Sequence, residues 1–318
     1  MNICVTGCLG HIGSAYIRNI PVGSAERIYL IDNFLTQRYA SLFDLPSNQP
    51  FEFIEMDARA KEMQKIIADS DACIHLAAVT NAEASFHRQD EVEKVNKEGL
   101  KYIAELCAAH DCRLLFPSST SVYGVQEGFV DENCSDADLK PQSPYAESKM
   151  YGENLLAKLG KEKGLKYLVF RLGTIFGYSI GMRFHTAVNK FIWQAAMGDK
   201  LTVWRTALHQ KRPYCALNDC IEAINFTLNK DIFENDVYNI LTENYTVNDI
   251  IETIKKYVPD VKIELVDSPI MNQLSYNVDT KKSRQRGFQY KGNLENDIKE
   301  TLYKLKNARS SSTHLSSL

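Results

Sequence analysis

The sequence predicts an α/β fold, a doubly wound parallel sheet with a smaller C-terminal α/β lobe. Two observations carry that prediction. Apolar runs of strand length recur at residues 2–6, 27–31, 51–55, 72–77, 112–117 and 166–171, with gaps long enough for crossover helices. The runs are almost continuously apolar rather than alternating, as strands covered on both faces must be. Two of the intervening helices are clear. One spans residues 90–110, and the other 143–164, where Pro144 suits a first helical turn and Gly164 a stop.

Beyond Arg171 the alternation breaks. A glycine-containing stretch leads to a helix over 188–197, a short strand over 201–204 and a helix over 218–229. Residues 246–305 carry two helical patterns and a strand at 262–266, and read as a lobe over the carboxyl edge of the sheet. The expected organisation is a nucleotide-binding domain over 1–172, with 213–240 returning to it, and a substrate lobe from 173–212 and 241–308. Residues 309–318, rich in serine, are expected to form a flexible tail.

Composition narrows the function classes. In 318 residues, 37 basic and 40 acidic side chains leave a net charge of −3, which does not suit a polyanion binder, so no nucleic-acid partner is expected. No run approaches the roughly 18 apolar residues that cross a bilayer, and the N-terminus lacks a basic-then-apolar leader, so a cytoplasmic chain without membrane contact is expected. The eight cysteines show no Cys-x-x-Cys pair, and Cys4, Cys73 and Cys112 lie in or beside apolar runs. Reduced core thiols are expected, and no metal site.

The first strand runs into Gly7-Cys8-Leu9-Gly10-His11-Ile12-Gly13. Gly7 permits a tight turn, Gly10 lets backbone amides approach a pyrophosphate, and Gly13 lets the following helix pack against the strand. The second strand ends in Asp32, about twenty residues on, where a carboxylate accepts hydrogen bonds from an adenosine ribose. Because it would repel a 2'-phosphate, NAD is favoured over NADP. Arg38 reads as a solvated loop arginine.

Further along, the fifth apolar run enters Ser118-Ser119-Thr120-Ser121-Val122-Tyr123-Gly124. Tyr145 and Lys149 lie four apart on a helix and so share a face. A free phenol, with a pKa of about 10, is a weak base at neutral pH. A cation about 4 Å away contributes on the order of 4 kcal/mol at an effective dielectric of 20, so one lysine ammonium together with a cationic nicotinamide ring is sufficient to move it into range.

In these features the chain resembles the extended short-chain dehydrogenase/reductase family, specifically its nucleotide-sugar epimerases and dehydratases. The resemblance also rests on Asp57, His75-Leu76-Ala77-Ala78, Asn96, Arg171 with Phe176-Gly177, and Arg212-Pro213-Tyr214 ahead of Asn218-Asp219. It implies a Rossmann domain holding NAD at Gly7, Gly10, His11, Ile12, Gly13, Asp32, Asn33, Asp57, Ala58, Leu76, Ala77, Ala78, Asn96, Tyr145 and Lys149. It places a nucleoside-diphosphate sugar against Thr80, Ser119, Thr120, Ser121, Asn189, Trp204 and Arg212.

In that scheme Tyr145, Lys149 and Ser119 are catalytic. Thr120 and Ser121 stand where the family's dehydratases usually carry Asp-Glu, which disfavours elimination. The implied activity is epimerisation through transient oxidation at the sugar's C4. The alternatives are a C4 dehydrogenase that releases the keto sugar, a 4,6-dehydratase, and a dinucleotide sensor without catalysis. The family also implies a homodimer. The chain departs from the family's pattern at residues 205–211, which lack a glycine-rich turn, at Ala216-Leu217 and at Leu172-Gly173-Thr174. His185 and His209 read as surface or loop residues.

Overall fold

A computed structural model describes residues 1–124, 126, 128–135, 138–267 and 276–308. The tail expected at 309–318 lies outside the described residues. In chain order the strands are β1 (Asn2–Thr6), β2 (Arg27–Asp32), β3 (Phe51–Glu55), β4 (Ala72–His75), β5 (Arg113–Ser119), β6 (Phe129–Val130), β7 (Tyr167–Leu172), β8 (Thr174–Phe176), β9 (Leu201–Trp204), β10 (Lys211–Ala216), β11 (Asp236–Ile240), β12 (Glu243–Thr246), β13 (Ile263–Val266) and β14 (Asn277–Val278). The helices are α1 (His11–Tyr16), α2 (Met63–Ala68), α3 (Gln89–Val92), α4 (Gly99–Ala109), α5 (Pro144–Lys163), α6 (Ala187–Met197), α7 (Leu217–Lys230), α8 (Val247–Lys255), α9 (Lys281–Arg286) and α10 (Leu294–Lys304).

The main sheet has the order β11-β7-β5-β4-β1-β2-β3 with every pairing parallel. Successive residues of its inner strands feed opposite cores. Ile3, Val5, Ile28, Leu30 and Ile74 pack with α1 and α7, while Cys4, Tyr29, Ile31 and Cys73 pack with α2, α4 and α5. Burial on both faces is why these runs show no polar alternation. The exception is β3, expected to be covered but half-exposed: it is an edge strand, and Glu52 and Glu55 reach solvent.

The strand order reverses at β1, so β1 and β4 diverge toward opposite halves of the sheet and open a crevice beyond their carboxyl ends. A third core joins Phe176, Val188, Phe191, Tyr214, Ile250 and Ile298 over α6, α8 and α10. Among the described residues of the stretch at 246–305 there are three helices rather than two, because the short α9 caps β11 without an apolar period of its own. The eight cysteines are free, and seven are buried.

The long helix α5 starts and stops where its residue types require. The Ser143 side chain accepts from the Ala146 N–H, Pro144 occupies the first turn, and Gly164 ends the helix in the left-handed region at φ 70°. The helix expected at 90–110 is continuous in direction but widens into a π-turn over Glu93–Glu98 before α4. That turn contains Asn96.

Candidate active site

Beyond the carboxyl ends of β1, β2, β4 and β5 lies a cavity of about 470 Å³. Its floor is the glycine loop. Gly7 has φ +67°, and a Cβ there would stand 2.6 Å from the Ala77 amide nitrogen; a Cβ on Gly13 would stand 2.6 Å from the Gly7 and Cys8 carbonyl oxygens. Both close approaches exclude a side chain. Asp32 closes one end of the cavity, its carboxylate accepting from the Leu9 and Phe34 amides at 3.1 and 3.0 Å. Beside it, three hydrogen bonds from Arg59, two from its guanidinium and one from its amide, and one from Asn33 hold the Asp57 carboxyl down at about 2. A glycine cradle that only backbone can line, with a fixed carboxylate at strand distance, fits a dinucleotide whose adenosine ribose reaches Asp32.

At the other end the hydroxyl segment and α5 converge. Ser119 accepts from the Ser121 amide at 3.2 Å and from its hydroxyl at 2.9 Å, so its own proton is left for a further acceptor. Thr120 is spent on structure, its hydroxyl donating to the Leu172 carbonyl at 3.2 Å. Tyr145, Lys149 and Ser119 all line the cavity.

Lys149 is seated differently from the expectation. Its Nζ donates to the Pro117 carbonyl at 2.7 Å and lies 4.6 Å from the Phe116 ring centroid and 5.8 Å from that of Tyr145. Burial, then the charge of Arg183, pushes its ammonium down to about 7, against the opposing pull of Glu153. Burial pushes the Tyr145 phenol above its ordinary value, while the Arg183 charge and a hydrogen bond with Ser119 draw it back down. The phenol is therefore not poised by Lys149 alone, because the strand carbonyl and the low-dielectric surroundings claim that ammonium.

Behind the site, Glu153 on α5 forms a buried ion pair with Arg171 of β7, with Nη2 to Oε2 at 2.7 Å, and accepts from the Ser118 hydroxyl. This network fixes the helix that carries Tyr145 to the two strands below it.

Of the residues expected from sequence, all but two line this one cavity. The exceptions turn inward. Asn96, in its π-turn, bonds the Val79 backbone on both sides and donates to Ser148 at 3.0 Å. Ser148 in turn donates to the Tyr145 carbonyl at 2.7 Å, so Asn96 braces the first turn of α5. Asn189 is fully buried and donates to the Arg183 carbonyl at 3.1 Å. Trp204 and Arg212 reach the wall from β9 and β10.

Among the lining residues that were not expected are Arg38, Arg183 and His185. Arg38 is no solvated loop residue. It folds over the glycine loop, with Nη1 3.8 Å from the position a Gly10 Cβ would take. Burial and the Arg183 and Arg38 charges push His185 down to about 4, whereas His209 is exposed. The available signal was the pair Arg183 and His185 directly after a stretch bounded by two glycines, Gly177 and Gly181.

Comparison with known proteins follows the same lines. The model of the NAD dependent epimerase/dehydratase family matches residues 3–240. An uncharacterized UDP-glucose epimerase of Bacillus subtilis is 27% identical over 76% of this chain and 76% of its own. A trifunctional UDP-glucose 4,6-dehydratase, 3,5-epimerase and reductase of Arabidopsis thaliana is 27% identical over 95% of this chain, which spans 46% of that larger protein. The crystal structure of a UDP-glucuronic acid 4-epimerase from Bacillus cereus, in complex with UDP-glucuronic acid and NAD, superposes with a TM-score of 0.87 at 25% identity, covering 96% of this chain and 99% of that one.

Proposed function

Because the chain belongs to the NAD-dependent epimerase/dehydratase family, we propose that it inverts C4 of a UDP-sugar by transient oxidation of that carbon. The observation that carries the proposal is the convergence of Ser119, Tyr145 and Lys149 on the same cavity as the glycine loop and Asp32. In this reading Gly7, Gly10, Gly13, Asp32 and Asn33 hold the adenosine diphosphate half of NAD. Bound NAD supplies a hydride acceptor, and afterwards a donor, at the sugar carbon.

The protein's own groups then manage one proton and one oxygen. The Tyr145 phenolate takes the proton of the C4 hydroxyl and later returns it. Ser119, whose oxygen already accepts two hydrogen bonds, donates its proton to the same sugar oxygen as that oxygen becomes a carbonyl. Lys149 steadies the ribose next to the reacting carbon, exchanging its Pro117 contact for that partner. Thr120, committed to Leu172, and Ser121, committed to Ser119, supply no acid or base of the strength that elimination needs. The UDP moiety is assigned from the ligands named for the similar proteins, with Arg212 and Trp204 at the nucleotide end. The outer faces of α4 and α5 pair two copies into a homodimer in this proposal.

The test is to supply UDP-glucose, UDP-glucuronic acid and UDP-N-acetylglucosamine separately and to follow products by NMR together with absorbance near 340 nm. One of them should yield its 4-epimer with no net growth of absorbance. A steady rise with release of a keto sugar would make the protein a dehydrogenase. Binding without conversion of any would leave a dinucleotide sensor.

A further inference from the structure

Among the cations lining the cavity that the proposed chemistry has not yet used, Arg183 has a buried Nε with no hydrogen-bond partner. Arg183 sits in the loop between β8 and α6, and that loop is stitched to the glycine loop. His11 Nε2 donates to the Gly177 carbonyl at 2.9 Å, Ser179 donates to the His11 carbonyl at 2.9 Å, and the Gly181 amide donates to the Ser14 hydroxyl at 3.0 Å. Gly181 rests so closely on the glycine loop that a Cβ would stand 2.3 Å from the Leu9 carbonyl oxygen. Asn189 holds the Arg183 carbonyl from behind. The guanidinium is thereby delivered, from backbone bonded to the cofactor cradle, to the cavity that Tyr145 also lines, where the two groups interact through charge.

No carboxylate among the described residues pairs with it, and its Nε is buried without a hydrogen-bond partner. The carboxylates that share the cavity are engaged elsewhere. Asp32 serves Leu9 and Phe34, Asp57 serves Arg59, and Glu83 faces Lys190. A buried, uncompensated guanidinium is costly to keep, so its retention calls for a negative charge that forms beside it.

The groups that share the cavity with the Tyr145 phenol show which charge that is. From its own helix comes Lys149, backed by Glu153; from β5 comes Ser119; from β4 comes His75, held neutral; from the loop after β2 comes Arg38; and from the β8–α6 loop come Arg183 and His185. With His75 and His185 neutral and Arg38 over the glycine loop, Arg183 is the charge that draws the phenol down, while the Lys149 Nζ lies 5.8 Å from the Tyr145 ring centroid. Lys149 sits at about 7 and is only half charged near neutrality, whereas burial lowers Arg183 only to about 10, so it stays charged throughout the working range. We propose that Arg183 is the permanent positive charge that stabilises the Tyr145 phenolate, acting across the cavity from the loop tied to the glycine cradle. Because the same loop grips His11 and Ser14, this also makes the phenol's acidity depend on an intact cofactor cradle.

The inference rests on the reading of Tyr145 as the acid/base, and its test separates the two. In the NAD-loaded enzyme, phenolate absorbance near 295 nm is titrated as wild type minus Tyr145→Phe, then repeated in Arg183→Met and Arg183→Lys backgrounds, each minus its own Tyr145→Phe double variant. The Tyr145 midpoint should rise by about one pH unit or more in Arg183→Met, a tenfold loss of phenolate below the midpoint, and should stay near wild type in Arg183→Lys. With a converted UDP-sugar, kcat in Arg183→Met should fall about tenfold at pH 7 and recover at high pH, while KM changes less. Should Arg183→Met shed NAD, Arg183→Gln replaces it in the same titration. A midpoint unmoved in the charge-removing variant overturns the proposal. If KM for UDP-glucuronic acid rises in that case, Arg183 instead reads an anion on the substrate. A moved midpoint in a protein that converts no nucleotide sugar would keep this inference and remove the proposed function.

Discussion

Replacing Glu153 by alanine should destabilise the protein by about 3–5 kcal/mol, the usual cost of leaving one member of a buried ion pair unpaired. The structure places this change at the upper end of single-site effects. Glu153 and Arg171 side chains are only 7% and 6% exposed, and three contacts join them, at 3.1, 3.1 and 2.7 Å. The Arg171 Nη1 already lacks a partner, so its guanidinium would keep only the face of Tyr123, 4.9 Å away, and the Ser118 hydroxyl would lose its acceptor. Urea unfolding followed by circular dichroism reads the loss directly, as a lower midpoint at unchanged slope. The control is the double variant Glu153→Met with Arg171→Met, which removes both charges and should recover most of the loss. A cost below about 1 kcal/mol for Glu153→Ala, or a double variant worse than the single, would refute the claim that this pair anchors α5. The same substitution removes a charge that holds the Lys149 ammonium up, so the lysine's midpoint should fall further below about 7.

Three further outcomes are expected. Tyr145→Phe should retain NAD, since the cradle is untouched, and lose nearly all turnover; comparable rates would mean that another base is at work. Gly7→Ala should weaken NAD binding at least tenfold and cost about 2 kcal/mol or more, because a side chain at φ +67° would press on the Ala77 amide; isothermal titration and urea midpoints measure both. Burial holds His75 and His11 down at about 3 and 4, below the value of about 6.5 they regain on unfolding. The unfolded chain therefore binds more protons between those limits, and stability should fall as pH drops from about 6.5 to 4, by up to about 1.4 kcal/mol per pH unit for each histidine. His75→Asn should flatten that slope in urea midpoints taken at pH 7 and 4.5, and an unchanged slope would count against the neutral, buried assignment.

Much of this architecture was legible because local chemistry and the global fold agree. β9 occupies residues 201–204 as expected, and Ser143, Pro144 and Gly164 bound α5 through caps that any helix with those residues would use. The strands β8, β10, β11 and β12 were not legible. β10 contains Pro213, β8 is three residues long and β12 carries no buried run, so their pairing is decided by partners distant in sequence.

The site divides in the same way. Gly7, Gly10, Gly13, Asp32 and the Tyr145/Lys149 pair could be placed by spacing, and the remaining site residues through the family resemblance. Arg38, Arg183 and His185 reach the cavity through long-range contacts such as His11 to Gly177 and Ser14 to Gly181, which leave no periodic trace. Asn96 and Asn189 were expected at the ligand, but the structure sets them one layer behind it, bracing the backbone of Val79 and Arg183.

The most direct test of the account follows the isotope at the carbon where oxidation is proposed. A UDP-sugar carrying deuterium at C4 should give a 4-epimer that keeps the label at C4, with no label entering C5 when turnover is run in deuterated water. Loss of the C4 label to solvent, or solvent deuterium appearing at C5, would contradict a hydride that leaves and returns at one carbon beside Tyr145.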